Sequence, residues 1–142
     1  PRADVVADPL DRLDEADLGR QGSGQEGRLG VTGYRPGAFR IGKTWHEGHI
    51  LLLPDGVAGW PIGSIDELNE DHLEALRDLR PPAEILLLGL GAKAPLISFE
   101  LRRTLGGWGL SVEAMTTPAA CRTFNLLLAE ERRVVAALFA MP

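Results

Sequence analysis

With 142 residues, 44% of them hydrophobic and 25% charged, the chain has the make-up of one globular domain, long enough to bury a core of its own and too short for two. A formal charge of −5 argues against a broad electrostatic grip on nucleic acid. A single cysteine excludes an internal disulfide and favours a reducing compartment. The longest strongly apolar run, ILLLGLGA at 85–92, falls far short of the roughly 20 residues that cross a bilayer.

Residues 1–28 carry seven acids against four arginines, and GRQGSGQEGR at 19–28 is rich in Gly, Gln and Ser. This stretch is expected to be a flexible acidic N-terminal arm, with the globular domain at 29–142. It has neither the apolar core of a signal peptide nor the acid-poor composition of a transit peptide, so a cytoplasmic protein is expected.

From Leu29 the signals are strand-like. VTGY and FRIG are short β runs divided by Pro36-Gly37, and GHILLLPDG is a strand closed by a Pro-Asp-Gly turn. VAGWPI reads as another short strand, its proline marking an edge or an ending. Ser64 and Glu67 have capping-box spacing. Ile65, Leu68, His72, Leu76 and Leu79 then recur at helical intervals until Pro81-Pro82, which predicts a helix. EILLLGL at 84–90 is continuously apolar, as a strand buried on both faces should be. A second helix in SFELRRTLGGWG stops at Gly106-Gly107, LSVEAM is a strand, a third helix spans about 118–130, and RVVAALFA at 133–140 is the last strand. The order is antiparallel strands followed by β-α-β-α-β, a mixed α/β domain with a parallel portion.

Three motifs invite a chemical reading. GLGAKA at 89–94 spells G-x-G-x-x-A after a buried-type strand, with Glu113 where a ribose-binding acid would lie. Against dinucleotide binding, Pro95 and Leu96 delay the following helix, and the upstream strands look like hairpins. The plainer reading is a turn that needs glycine for positive φ or close backbone approach. WHEGH at 45–49 sets two histidines around a glutamate, too few ligands for zinc and on opposite faces of a strand, so no metal is expected. His72 reads as a hydrogen-bonded packing residue.

The third is TTPAACRTFN at 116–125. Thr117 is a good N-cap with Pro118 in the first helical position. Thr117, Cys121, Asn125 and Leu128 then form one stripe, beside a second of Ala120, Phe124 and Leu127. A thiol near a helix start feels the positive pole, but nucleophilic catalysis also needs a base, which no local histidine arrangement promises. The alternative is architectural: Cys121 fills space, and Asn125 ties the helix to a neighbouring loop, for which Gly89–Gly91 is the candidate. Arg132 and Arg133, past the helix end, suit its negative pole or an acidic partner.

LLLGLGAKAP, LSVEAMTTPAACRTFNLLLAEERRVVAAL and YRPGAFRIGKTWHEGHILLLPDG together resemble the Mth-type domain family, formerly of unknown function. Mitochondrial complex I assembly factor three and an adipogenesis-associated Mth-domain protein share that domain. The resemblance covers about 31–140 and implies a three-layer fold of two β-sheets with helices, no established enzymatic activity and no cofactor. The family pattern falls on Gly89, Gly91, Met115, Thr116, Ala120, Cys121, Asn125, Glu131 and Arg132–Arg133. Leu90 stands where many relatives have a small or polar residue, and Glu131 meets arginine where relatives often have a glycine.

Two functions follow as expectations. One is a non-enzymatic interaction or assembly factor binding protein partners, such as subunits of an inner-membrane complex. It would lie peripheral to that membrane and use exposed apolar residues such as Trp60, Trp108 and Phe139. The alternative is a small-molecule or nucleotide-binding protein or enzyme whose pocket is built by Gly89–Lys93 with Thr117, Cys121 and Asn125.

Overall fold

The long apolar runs alternate between two faces of one sheet. Ile50, Leu52, Ile85, Leu87, Val134, Ala136 and Leu138 share one core cluster, and Leu51, Leu86, Leu88, Val135, Ala137 and Phe139 share another. This period of two is the signature of strands buried on both sides. The computed structural model describes residues 28–142. Strands β1 (Val31–Arg35), β2 (Ala38–Ile41) and β3 (Thr44–Glu47) form an antiparallel sheet in chain order. Strands β4 (Ile50–Leu53), β5 (Gly56–Gly59), β6 (Ile85–Gly89), β7 (Ser111–Met115) and β8 (Val134–Leu138) form a second sheet in the order β5-β4-β8-β6-β7. There β6 runs parallel to both β7 and β8, while β4 is antiparallel to β5 and β8.

Two α-helices make the parallel crossovers. Helix α1 (Phe99–Gly107) links β6 to β7, and Ser98 caps it by accepting from the Leu101 amide. Helix α2 (Thr117–Ala129) links β7 to β8. Leu101 and Leu105 of α1 enter one cluster, and Ala120, Phe124 and Leu128 of α2 enter the other, so the helices cover opposite faces. Tyr34 and Phe39 of the small sheet join the α2 side. The result is three layers with the five-stranded sheet in the middle.

Several expectations are corrected. The predicted helix at 65–79 is two 3₁₀ segments, Ile65–Glu67 and Glu70–Leu76, separated by extended backbone at Leu68 and Asn69. Ser64 makes no side-chain cap, although Glu67 Oε1 accepts from the Gly63 amide at 3.2 Å. Asn69 instead accepts from the Asp71 amide and starts the second segment, the local competition by which asparagine breaks helices. His72 is half-buried, and its ring Nδ1 has no hydrogen-bond partner among the described residues. The strand β3 carries Trp45 and His46 of WHEGH, while His49 lies beyond it.

Trp60 and Phe139 are not exposed anchors. Both are buried, with their rings in tilted contact at 4.8 Å and Trp60 Nε1 donating to the His72 carbonyl. Trp108 is half-buried under Arg77. Of the proposed arm, residues 1–27 lie outside the described residues. Arg28 belongs to the fold: its guanidinium sits over the Phe124 ring, donates to the Val134 carbonyl, and is lowered by burial to a pKa of about 10.

Candidate functional site

The family-type motif works through Thr117. The N-cap of α2 is Thr116, one residue earlier than its sequence suggests; its hydroxyl accepts from the Ala119 amide, and Pro118 falls in the first turn. Two adjacent threonines are equally good caps, and the hydroxyl of Thr117 is used elsewhere. Fully buried, it accepts from the Gly91 amide at 2.9 Å and donates to the Phe139 carbonyl at 2.7 Å. The Thr117 amide donates back to the Gly91 carbonyl. One side chain thus joins the ends of β6 and β8 to the start of α2.

The glycines flanking Leu90 serve different needs. Gly91 has φ +76°, which favours glycine. At Gly89 the need is space: a Cβ there would lie 2.8 Å from Leu138 Cδ2 and 3.2 Å from the Thr117 Cα. Met115, half-buried, stands opposite Gly89 in β7 and accepts the Leu90 amide on its carbonyl. Helix α1 begins only at Phe99, so its first amides do not open onto the turn, and Glu113 is an exposed residue of β7.

Cys121 and Asn125 lie deeper on α2 and do not line a pocket with Gly89–Lys93. Cys121 is fully buried in an apolar cluster. Asn125 ties the helix to β1 rather than to the glycine turn. Its Oδ1 accepts the Val31 amide and its Nδ2 donates to the Val31 carbonyl, both at 2.8 Å. Arg132 is an exposed residue paired with Glu84 at 3.3 Å.

What does open at the glycine turn is a groove of about 540 Å³. It lies beyond the carboxyl ends of β6 and β8, the end at which α/β sheets bind ligands. Leu90 and Phe139 lie at its base, Ile65 and Pro95 at its sides, and Lys93, Asp66 and His49 bring charge and hydrogen-bonding capacity. His49 Nδ1 accepts the Ala140 amide at 2.9 Å, and its ring meets Phe139 edge-on at 4.9 Å. Burial holds this imidazole below the usual histidine range. No sequence pattern joins His49 to Lys93, because the pairing arises only where β8 ends beside the β6 turn.

The family model described as "Protein of unknown function (DUF498/DUF598)" matches residues 31–139. The chain belongs to this family. An uncharacterised protein of Rhodobacter capsulatus is 38% identical over 119 residues, covering 84% of this chain and 90% of that one. NADH dehydrogenase (ubiquinone) 1 alpha subcomplex assembly factor 3 of Danio rerio is 34% identical over 112 residues, covering 79% of this chain. The chain spans 64% of the length of that relative. The solution structure of a Bordetella pertussis protein, described as a Mth938-like domain, superposes with a TM-score of 0.68 at 32% identity, over 78% of this chain and 84% of that one. The Mth-type resemblance and the mixed α/β fold therefore stand.

The two departures that the resemblance implies, at Leu90 and Glu131, sit in settings that suit them. Leu90 is fully buried in the α1-side cluster, where an apolar side chain fits. Glu131 has φ +61° just past the end of α2, the left-handed position at which a helix commonly stops on glycine. Among the described residues no helix is long and apolar enough to cross a membrane, and no group of three or more His, Cys, Asp or Glu could hold a metal ion.

Proposed function

We propose that this chain acts as an assembly factor, binding unassembled protein subunits of a membrane-bound respiratory complex from a position peripheral to that membrane. The observation that carries the reading is its 34% identity, over 112 residues, with a protein named as an assembly factor of NADH dehydrogenase. The motif chemistry is in keeping with it. Thr117 and Asn125 direct their polar atoms to backbone groups of the fold, and Cys121 is buried among apolar residues.

The described surface also carries apolar side chains that an interaction module would use. Leu96, on the segment between β6 and α1, is fully exposed, and Phe99, the first residue of α1, is 70% exposed. Isolated exposed apolar residues are ordinary; Leu96 and Phe99, within four residues of chain, are the pair assigned here to partner contact.

Affinity capture of the tagged chain from its native cells, with quantitative identification of what co-purifies, tests the proposal. Enrichment of NADH dehydrogenase subunits, reduced by a Leu96→Glu/Phe99→Glu double variant, is expected. Recovery of those subunits at background level contradicts it.

A further inference from the structure

The groove beyond β6 and β8 combines features that select a ligand by chemistry. Leu90 and Phe139 form its covered base, and the apolar surface it offers a ligand is that of Ile65, Pro95 and Ala140. Its volume of about 540 Å³ suits a small molecule. Above that base sit two groups that favour negative charge. Lys93, on the glycine turn, supplies an exposed ammonium. His49 supplies a directed donor: its Nδ1 lone pair is occupied by the Ala140 amide, so the neutral ring carries its proton on Nε2. A ring fixed in that tautomer donates to a ligand and cannot accept from one.

We propose that this groove binds a small amphipathic carboxylate, its aliphatic tail laid against Ile65, Pro95 and Ala140 and its head group at Lys93 and the His49 Nε2–H. That apolar lining disfavours a nucleotide, whose phosphates and sugar would leave most of it uncovered. Asp66 lines the same groove and would draw a cation instead. Its charge offsets that of Lys93, and the His49 Nε2–H decides for the anion, since a carboxylate accepts from it and a cation cannot. The site stands apart from the assembly role, since ligand binding by the isolated chain and capture of partner subunits can each succeed or fail alone.

Decanoate is the probe, titrated below its micelle concentration into the full ¹⁵N-labelled chain. Saturable shifts of the Gly91, Lys93 and Ala140 amides are expected, with a Kd of about 0.1–1 mM for a ligand of this size. Lys93→Ala should weaken binding about 3–5-fold, the worth of an exposed ion pair, and Lys93→Glu should weaken it further. Because Lys93 is exposed, both variants keep the fold, which the unchanged spectrum of the small sheet verifies. Decyltrimethylammonium, with the same tail and opposite charge, should bind more weakly than decanoate. The proposal is overturned by any of four results: no saturable shifts, shifts centred on the smaller cavity at Arg28 and Phe124, equal or tighter binding of the cationic probe, or indifference to Lys93→Glu.

Discussion

Thr117 shows how much a single hydroxyl can organise when it is buried between two backbone groups. Thr117→Val keeps the shape but leaves the Gly91 amide and the Phe139 carbonyl without that partner. A loss of about 2 kcal/mol is expected in denaturant unfolding, while Thr117→Ser, which keeps the hydroxyl, should recover most of it. If the two variants were equally stable, the bridge would not matter. Gly89 acts through space rather than through a bond. Adding a methyl there drives it against Leu138 and the Thr117 backbone, and the backbone has little room to give. Gly89→Ala should cost about 1–3 kcal/mol. An alanine variant as stable as the parent in the same assay would show that α2 can move away from β6.

At the scale of elements, α2 ends under a constraint visible in its backbone. Glu131 adopts a left-handed conformation that an L side chain disfavours, and the Arg132 amide closes the helix end onto the Leu127 carbonyl. Glu131→Gly should therefore raise stability by about 1 kcal/mol, read as a higher denaturant midpoint at unchanged slope. Destabilisation would mean that the Glu131 side chain makes a contact worth more than the strain.

The elements that were legible in sequence were those with an unambiguous period and a chemical stop. The continuous apolar run of β6, the Gly106-Gly107 end of α1 and the proline in the first turn of α2 all mark their elements. The segment at 65–79 misled because its apolar spacing also suits two 3₁₀ turns, in which Leu73 and Leu76 are buried, and only the Asn69 cap separates the readings. Strand β3 was ambiguous because Trp45 faces outward under Arg35 and Arg40 instead of marking a core face. The bridging role of Thr117, and the partner of Asn125, whose tying role was expected, were illegible for another reason. Their partners, Phe139 and Val31, are far away in the chain, and no local pattern records them.

Across the whole molecule, the layers are pinned where the last strand, the glycine turn and the start of β4 meet. His49 contributes there as a neutral ring accepting the Ala140 amide, with its pKa depressed by burial. A depressed folded pKa favours the neutral form. The stabilisation is therefore complete above the unfolded value near 6.5 and is lost as pH falls through the lower folded value. Stability measured between about pH 7.5 and 5 should decline toward acid, and His49→Gln should flatten that decline. An equally steep decline in the variant would assign it to other groups.

Thiol, amide and hydroxyl along α2 together read as architecture, a helix clamped to the central sheet by Thr117 and to the small sheet by Asn125. The most direct measurement is the melting temperature of Asn125→Ala, with Leu126→Ala, a change at an exposed neighbour on the same helix, as the control. Loss of both bonds to Val31 should cost about 2–4 kcal/mol and lower Tm by about 10 °C, with the control almost unchanged. An Asn125→Ala protein that melts with the parent would contradict the architectural account of the motif.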